Sequence, residues 1–185
     1  MQDFVLITGN QHKVDLLTKY LGRPVRHHKA DLDEIQSLDP RIVAEHKVRQ
    51  AYDLLREPVL IDDVSLTFDA LGRLPGTQIK WFLEELKPKG LADLASRLDN
   101  QKATASMVFA LFDGQELLFF EHAMTGRIAP EPRTVNNGLA FGWNEVFIPD
   151  GSDKTFAEMD EDELRSFSHR APAVAKLKEY LDSQK

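Results

Sequence analysis

Cysteine is absent from this chain of 185 residues. Its absence excludes disulfide bonds, cysteine-ligated zinc, iron–sulfur clusters and a catalytic thiolate, and it fits a reducing compartment. The sequence also lacks an apolar run of about 18 residues and a basic segment leading into an apolar stretch near its beginning. We therefore expect a cytoplasmic protein with no membrane partner.

Basic charge is in deficit, with 23 lysines and arginines against 30 acidic residues and a net charge of -7. This balance disfavours nonspecific binding to a nucleic-acid polymer. It is compatible with a small anionic ligand, because a local basic pocket or a carboxylate-held divalent cation can reverse the field. The length and the absence of repeats, low-complexity tracts and linkers predict one domain over residues 1–185.

The hydrophobic pattern predicts short strands that alternate with helices. Strands are expected at 4–8, 25–28 and 59–61, and helices at 11–21, 40–56, 79–86, 91–98 and 169–182. Asn10 and Asp39 are good N-caps, and Gly22 is a good terminator of the first helix. Asp113-Gly114 predicts a two-residue hairpin turn between strands at 104–112 and 116–122. The pattern indicates an α/β domain with a mixed sheet.

The turn between the first strand and the first helix is a candidate phosphate site. A helix N-terminus presents free N–H groups, a glycine permits close approach of a ligand, and a lysine one turn later adds positive charge. The residues concerned are Thr8, Gly9, Asn10, Gln11, His12 and Lys13. The alternative is an ordinary capped helix, since the segment is neither a P-loop nor a GxGxxG fingerprint.

Carboxylates supply candidate magnesium ligands. Asp62 and Asp63 follow a buried run, and adjacent residues of a strand point to opposite faces, so one carboxylate can face a cleft. Lys47 borders the apolar face of the second helix and could reach a phosphate, or extend its ammonium to water. Glu34 lies in an acidic loop, where a solvated acid is the simple alternative.

Aromatic and basic residues near the end of the chain are candidates for contact with a nucleobase. Phe141-Gly142-Trp143 could stack on a base, and His169 and Arg170 could bond its edge or a phosphate. Packing in the core is the alternative for the aromatic residues. Together, the candidate groups are suited to attack of water on a nucleotide phosphoanhydride.

The order and spacing of these motifs resemble the inosine triphosphate pyrophosphatase family, also called the Ham1 family. The resemblance spans essentially the whole chain. It is carried by Thr8-Gly9-Asn10-x-x-Lys13, Asp62-Asp63, Leu71-Gly72-x-Leu74-Pro75-Gly76, Ile79-Lys80-Trp81-Phe82-Leu83, Phe141-Gly142-Trp143, Ala157-Glu158-Met159 and Ser168-His169-Arg170.

The resemblance implies an elongated mixed sheet with two lobes around a cleft, a homodimer, and Mg²⁺-dependent conversion of ITP, dITP or XTP to monophosphate and pyrophosphate. Glu34, Asp62 and Asp63 would bind metal, and Asp63 would help to activate water. Lys47 would lie near the phosphates. The remaining residues that would bind substrate are Thr8, Gly9, Asn10, Gln11, His12, Lys13, Val64, Phe141, Gly142, Trp143, Asn144, Arg165, His169 and Arg170.

Departures from the family pattern cluster on the side that would recognise the base. Asn144 replaces an aspartate, Leu164 stands at a lysine position with Arg165 beside it, and Val64 replaces a hydroxyl residue. The loop from Arg133 to Ala140 is longer than expected. Three alternatives stay open: a pyrophosphatase for pyrimidine or modified nucleotides, a nucleotide sensor without catalysis, and an interaction domain whose acidic run from Asp150 to Glu163 binds a basic partner.

Overall fold

The computed structural model describes residues 3–135 and 142–184. Its strands are β1 (Val5–Ile7), β2 (Arg26–His28), β3 (Val59–Phe68), β4 (Pro75–Gly76), β5 (Lys102–Phe112), β6 (Leu117–Ile128) and β7 (Phe147–Pro149). Its helices are α1 (Gln11–Leu21), α2 (Pro40–Leu55), α3 (Ile79–Ser96), α4 (Glu161–Phe167) and α5 (Arg170–Ser183). Short 3₁₀ turns occupy Asp69–Leu71 and Phe156–Glu158.

Within these residues, seven strands form one mixed sheet in the order β2-β1-β3-β5-β6-β7, with β4 paired to β3. Strand β1 pairs in parallel with both β2 and β3, whereas the β3–β4 and β6–β7 pairs are antiparallel. The predicted α/β class with a mixed sheet is confirmed. None of the described helices combines the length and apolarity that crossing a bilayer demands.

The chain divides into two compact units. Unit 1 contains Met1–Val64, Met107–His122 and Arg170–Lys185, and unit 2 contains Ser65–Ser106 and Ala123–His169. Strands β3, β5 and β6 contribute residues to both units.

The core of unit 1 lies on both faces of its strands. Leu6 and Leu60 pack with apolar residues of α1 and α5, such as Leu17 and Leu177. The neighbouring residues of the same strands, including Val5 and Val59, pack instead with α2 through Ala44, Val48 and Ala51. Because side chains alternate along a strand, α1 and α5 cover one face and α2 covers the other.

The core of unit 2 is built around apolar side chains of its strands and of α3. Its almost fully buried residues include Leu66, Phe68, Leu91, Ile128, Phe147, Phe156 and Met159. Helix α3 is interrupted at Lys87, where the backbone is non-helical and Pro88 follows. This interruption separates the two helices that the sequence predicts in this region.

The prediction that β3 ends at Asp62-Asp63 is wrong, because the strand continues to Phe68. The continuation reads VSLTF, in which Leu66 and Phe68 are buried and β4 provides a partner. Alternating apolar side chains and a neighbouring strand therefore carry the β conformation past two charged residues.

The prediction of a two-residue hairpin turn is also wrong, because the four residues from Asp113 to Glu116 all lie between β5 and β6. The Asp113 carboxylate accepts hydrogen bonds from the backbone N–H groups of Gln115 at 2.9 Å and Glu116 at 2.8 Å. Asp113 thus stabilises a longer connection. Strand β7 and helix α4 were not predicted, and α5 begins at Arg170, one residue later than expected.

Candidate active site

Strands β1 and β2 end at one edge of the sheet in unit 1, beside the part of β3 that contains Asp62 and Asp63. Because β1 is parallel to β2 and β3, with Ile7 opposite His28 and Leu6 opposite Leu60, their carboxyl ends point the same way. The Thr8 N–H donates to the His28 carbonyl at 3.0 Å, which holds the first two ends together. Ligand sites of open α/β sheets form at such carboxyl ends.

The first strand end leads into the N-terminus of α1. The Asn10 backbone is extended and its side-chain oxygen accepts the His12 N–H at 3.0 Å, which confirms the predicted N-cap. The Thr8 hydroxyl accepts the Asn10 N–H at 3.1 Å. The Gln11 side chain donates to Asp15 at 2.8 Å. The turn is therefore fixed by its own polar side chains, with its helix dipole directed at the carboxyl edge of the sheet.

Asp62 is paired with a lysine of this turn. Its side chain is only 5% exposed and lies 2.9 Å from the ammonium of Lys13, measured from Oδ2 to Nζ. Burial lowers the pKa of Arg170, at the start of α5, while the negative charge of Asp62 opposes that fall. Asp62 thus acts electrostatically on cations of α1 and α5, the helices on one face of the sheet.

Asp63 faces the other side of the sheet, where α2 packs. The ammonium of Lys47 lies 3.0 Å from Oε1 of Glu34 and 3.8 Å from Oδ2 of Asp63, so one cation serves two carboxylates. The Val64 N–H donates to the second oxygen of Asp63 at 3.0 Å. The predicted division of the two aspartates between opposite faces is seen in these separate partners.

Burial and neighbouring opposite charges shift the pKa values of Asp63 and Lys47 in opposite directions. Burial raises the pKa of Asp63, and the nearby Asp62 charge raises it further, against the lowering effect of Lys47 and Lys13. Burial alone would lower the pKa of Lys47, but attraction to Asp63 and Glu34 outweighs burial and raises the pKa. The lysine is therefore held charged between carboxylates, one of which is costly to ionise.

The donor set at this edge fits a hard divalent cation in its chemistry. Carboxylate oxygens are the ligands that Mg²⁺ prefers, and Glu34 and Asp63 already share one cation, the Lys47 ammonium. Within residues 3–135 and 142–184, no three carboxylate or histidine side chains are grouped closely enough to hold a metal as they stand. A bound cation would therefore complete its coordination with water or substrate oxygens, as Mg²⁺ commonly does.

Unit 2 contains a second group of the predicted residues. Trp143, Asn144 and His169 are all buried, at 5%, 7% and 1% exposure. The His169 ring stacks on Phe156 at 5.6 Å between centroids and lies 6.3 Å from the Trp143 ring. The Asn144 carbonyl accepts the Ala157 N–H at 3.0 Å. This aromatic packing fixes the position of the imidazole.

For the other residues predicted to contact the base, the structure says less about their surroundings. Gly142 has a positive φ of 61°, which glycine adopts without strain. Phe141 and most of the enlarged loop lie outside the described residues, as does the side chain of Arg165. Leu164 is half-buried on α4. Their roles stay predictions.

Sequence reasoning missed the ion pair between Asp62 and Lys13, because it grouped Asp62 with the metal ligands. The pairing depends on the distance between β3 and α1, which are about 50 residues apart in the chain and whose contact no local pattern reveals. The alternation of strand faces was the available signal, since it already separates Asp62 from Asp63.

Comparison with known proteins identifies the family of the chain. The sequence model of the Ham1 family matches residues 4–180. The chain belongs to the Ham1 family. It is 36% identical over 189 residues to an inosine triphosphate pyrophosphatase of Schizosaccharomyces pombe, an alignment covering 100% of this chain and 98% of the relative.

Further Ham1 relatives extend the likeness to structure. An inosine triphosphate pyrophosphatase of Yarrowia lipolytica is 40% identical over 182 residues, covering 96% of this chain and 94% of its own. The structure of a Ham1 protein from Coxiella burnetii matches with a TM-score of 0.85 and 25% identity, over 99% of this chain and 100% of that one. The family resemblance noted in the sequence is confirmed, and it covers the whole fold.

Proposed function

We propose that this Ham1 protein is a nucleoside triphosphate pyrophosphatase that hydrolyses ITP, dITP or XTP to the monophosphate and pyrophosphate. The observation that carries the proposal is the meeting of two lysines and three carboxylates at one carboxyl edge of parallel strands. The residues are Lys13, Glu34, Lys47, Asp62 and Asp63. The names of the relatives at 36% and 40% identity support the choice of substrate.

In this proposal the triphosphate binds the turn from Thr8 to Lys13. N–H groups at the start of α1 and the ammonium of Lys13 attract its oxygens. Lys47 offsets negative charge that develops during cleavage between the α and β phosphates. Asp63 orients the attacking water and accepts its proton. Asp62 holds Lys13 in position through the 2.9 Å ion pair.

Glu34 and Asp63 would hold Mg²⁺, whereas Asp62, the third ligand predicted from the sequence, faces the other side of the sheet and pairs with Lys13. When bound, the cation neutralises phosphate charge and polarises the bond that is cleaved. The shared position of Glu34 and Asp63 around Lys47 supports this assignment, because their oxygens already surround a cation.

The first experiment identifies the products. Purified protein is incubated with ITP in Mg²⁺ or in EDTA, and nucleotide and phosphate products are separated. The proposal expects IMP and pyrophosphate in equal amounts with Mg²⁺ and no turnover in EDTA. Release of orthophosphate, or full activity in EDTA, would contradict it.

The residues expected to recognise the base support an altered preference among nucleotide substrates. Phe141, Gly142, Trp143, His169 and Arg170 would contact the nucleoside, together with Val64, Asn144 and Arg165. Asn144 is buried, so replacing the family aspartate removes a negative charge and adds two donors where solvent cannot compensate. We expect the preference among ITP, XTP, dUTP, ATP and GTP to differ from the family pattern.

A substrate panel tests this preference. kcat/KM is measured for the five nucleotides with wild type, Asn144→Asp and Leu164→Lys, the two changes that restore the family pattern. The expected result is a shift of both variants toward ITP and XTP. A strict ITP and XTP preference in wild type would refute the idea, and selectivity for dUTP would favour the pyrimidine alternative.

A nucleotide sensor without catalysis is the second candidate, motivated by Leu164 and Val64 at positions where the family has polar residues. It predicts tight binding of ITP with no pyrophosphate release at any Mg²⁺ concentration. The same product analysis, combined with a binding titration, separates the two candidates.

Assembly and location complete the proposal. We propose a homodimer, as the family resemblance implies, and a cytoplasmic location, as expected from the composition of the sequence. Light scattering coupled to gel filtration would then give twice the chain mass of 21.0 kDa. A mass equal to one chain across micromolar concentrations would refute the dimer.

A further inference from the structure

Lys29 comes directly after β2, at the same sheet edge as the turn that would bind triphosphate. A β-carbon placed on Gly9 would lie 3.1 Å from Cγ and Cδ of Lys29 and 3.3 Å from its Cε. The methylene stem of Lys29 therefore crosses the backbone of Gly9 in van der Waals contact. The ammonium is one bond beyond Cε, which itself lies beside Gly9 of the Thr8–Lys13 turn.

The contact leaves little room for a side chain at position 9. Its backbone is not one that requires a glycine, since its φ is not in the left-handed region. A β-carbon at this position would lie closer to Lys29 than in nine of ten real contacts, so the exposed stem of Lys29 would have to shift by a few tenths of an ångström. The parallel pairing of β1 with β2, and the bond from Thr8 to His28, fix the two segments at this distance.

Lys29 differs from the other lysines of this edge in its partners. Lys13 pairs with Asp62, and Lys47 pairs with Glu34 and Asp63. Lys29 is exposed and makes no hydrogen bond or ion pair with any residue of the described ranges. Its charge is therefore not neutralised by the protein, and it adds to the field that an anion meets at the turn.

We propose that Lys29 is a further phosphate-binding residue, which contacts the polyphosphate of the substrate from the β2 side of the turn. The inference rests on the proposed function, because it assigns Lys29 to the same triphosphate site. Gly9 then has two roles: it admits the ligand to the backbone and it admits the stem of Lys29. A simple packing role for that stem is the competing explanation.

Binding of inorganic tripolyphosphate in EDTA tests the proposal by calorimetry, without catalysis or metal. Lys29→Met retains an apolar stem and removes the charge, and Lys29→Arg retains the charge. Lys178→Met, on an exposed position of α5 in the same unit, is the matched control. We expect Lys29→Met to weaken binding roughly three- to tenfold, as for loss of one charge-assisted contact, and the other two to bind like wild type.

The outcomes separate the inference from the function on which it rests. If Lys29→Met binds like wild type while Lys13→Met binds weakly, Lys29 has only a packing role and the proposed site stands. If wild type binds no tripolyphosphate and releases no pyrophosphate from ITP, both proposals fail. Thermal unfolding of every variant confirms that the fold is retained.

A double-mutant cycle adds a test of the contact itself. Gly9→Ala displaces the Lys29 stem. The Gly9→Ala substitution should therefore weaken tripolyphosphate binding less in the Lys29→Met background than in wild type. Steady-state kinetics with ITP should show a raised KM and a kcat within about twofold of wild type for Lys29→Met. Additive effects in the cycle, or a fall in kcat with unchanged KM, would contradict the proposal.

Discussion

Lys47 balances the charge of two carboxylates, those of Glu34 and Asp63. It lies between Glu34 and Asp63, is 14% exposed, and keeps its proton because attraction to both acids outweighs burial. Its ammonium lies beside the oxygens of Glu34 and Asp63, which would hold the divalent cation of the proposed site. It therefore competes with such a cation for the same oxygens.

Lys47→Met should raise the affinity for Mn²⁺, used in place of Mg²⁺, when no nucleotide is present. Removal of one positive charge beside the ligands favours the divalent cation by roughly 30-fold, since a unit charge and a divalent ion about 4 Å apart in water repel each other by about 2 kcal/mol. Paramagnetic relaxation of solvent water measures the binding. Lys178→Met is the control, and Glu34→Gln shows that binding is at this site.

The same variant should lose turnover, because the proposed counter-charge for the phosphates is gone. Higher Mn²⁺ affinity together with lower kcat is the expected pair of results. Mn²⁺ affinity that is unchanged or lower in Lys47→Met would show that the lysine does not compete with the cation.

Individual elements differ in how far their sequence predicted them. Helices α1 and α2 were predicted with their caps because Asn10, Gly22 and Asp39 act within a few residues of their own position. The extension of β3 was missed, because it depends on pairing with β4 and on packing of Leu66. Features set by neighbouring residues, such as helix caps, could be predicted from the sequence. Features set by contacts between distant segments, such as strand pairing, could not.

The N-caps of α1 and α2 provide a matched pair of variants. The Asn10 side chain accepts the His12 N–H at 3.0 Å, and the Asp39 side chain accepts the Arg41 N–H at 2.9 Å. Replacement of either cap by alanine should cost about 1 kcal/mol of unfolding free energy. Asn10→Ala should in addition raise KM for ITP, whereas Asp39→Ala should not. Urea unfolding and steady-state kinetics measure both effects, and equal KM values would remove Asn10 from the substrate site.

An ion pair joins the first turn of α2 to strand β6 and makes stability depend on pH. Arg41 Nε lies 2.8 Å from a carboxylate oxygen of Glu121, and this guanidinium lowers the pKa of Glu121. A lowered pKa in the folded state gives stability that is present above the unfolded value and is lost as pH falls through the folded one.

Arg41→Ala should therefore lower the melting temperature at pH 7 and have a smaller effect below the pKa of the Glu121 carboxyl. Calorimetry from pH 7 down to pH 3 measures the difference between variant and wild type. A difference that does not shrink on acidification would show that the pair adds no pH-dependent stability.

For the whole molecule, a net charge of -7 coexists with a local group of lysines at one edge of the sheet. The sequence predicted the class of fold and singled out the carboxylates that form ion pairs at this edge, because both are marked by short local patterns. It could not predict the ion pair between Asp62 and Lys13 or those of Lys47 with Glu34 and Asp63. Nor could it predict the contact between Lys29 and Gly9. Those facts depend on distances between segments that the chain folds together.

Pyrophosphate release from ITP by wild type and Asp63→Asn is the most direct test of the central claim, that this group of carboxylates and lysines cleaves nucleoside triphosphates. Asp53→Asn, an exposed acid of α2, is the control. Wild type and control should release IMP and pyrophosphate equally, and Asp63→Asn should lose at least about 100-fold in kcat, as expected when a proton acceptor is removed. Its melting temperature should not fall, because burial already disfavours the charged form of Asp63. Near-normal release by folded Asp63→Asn would contradict the account.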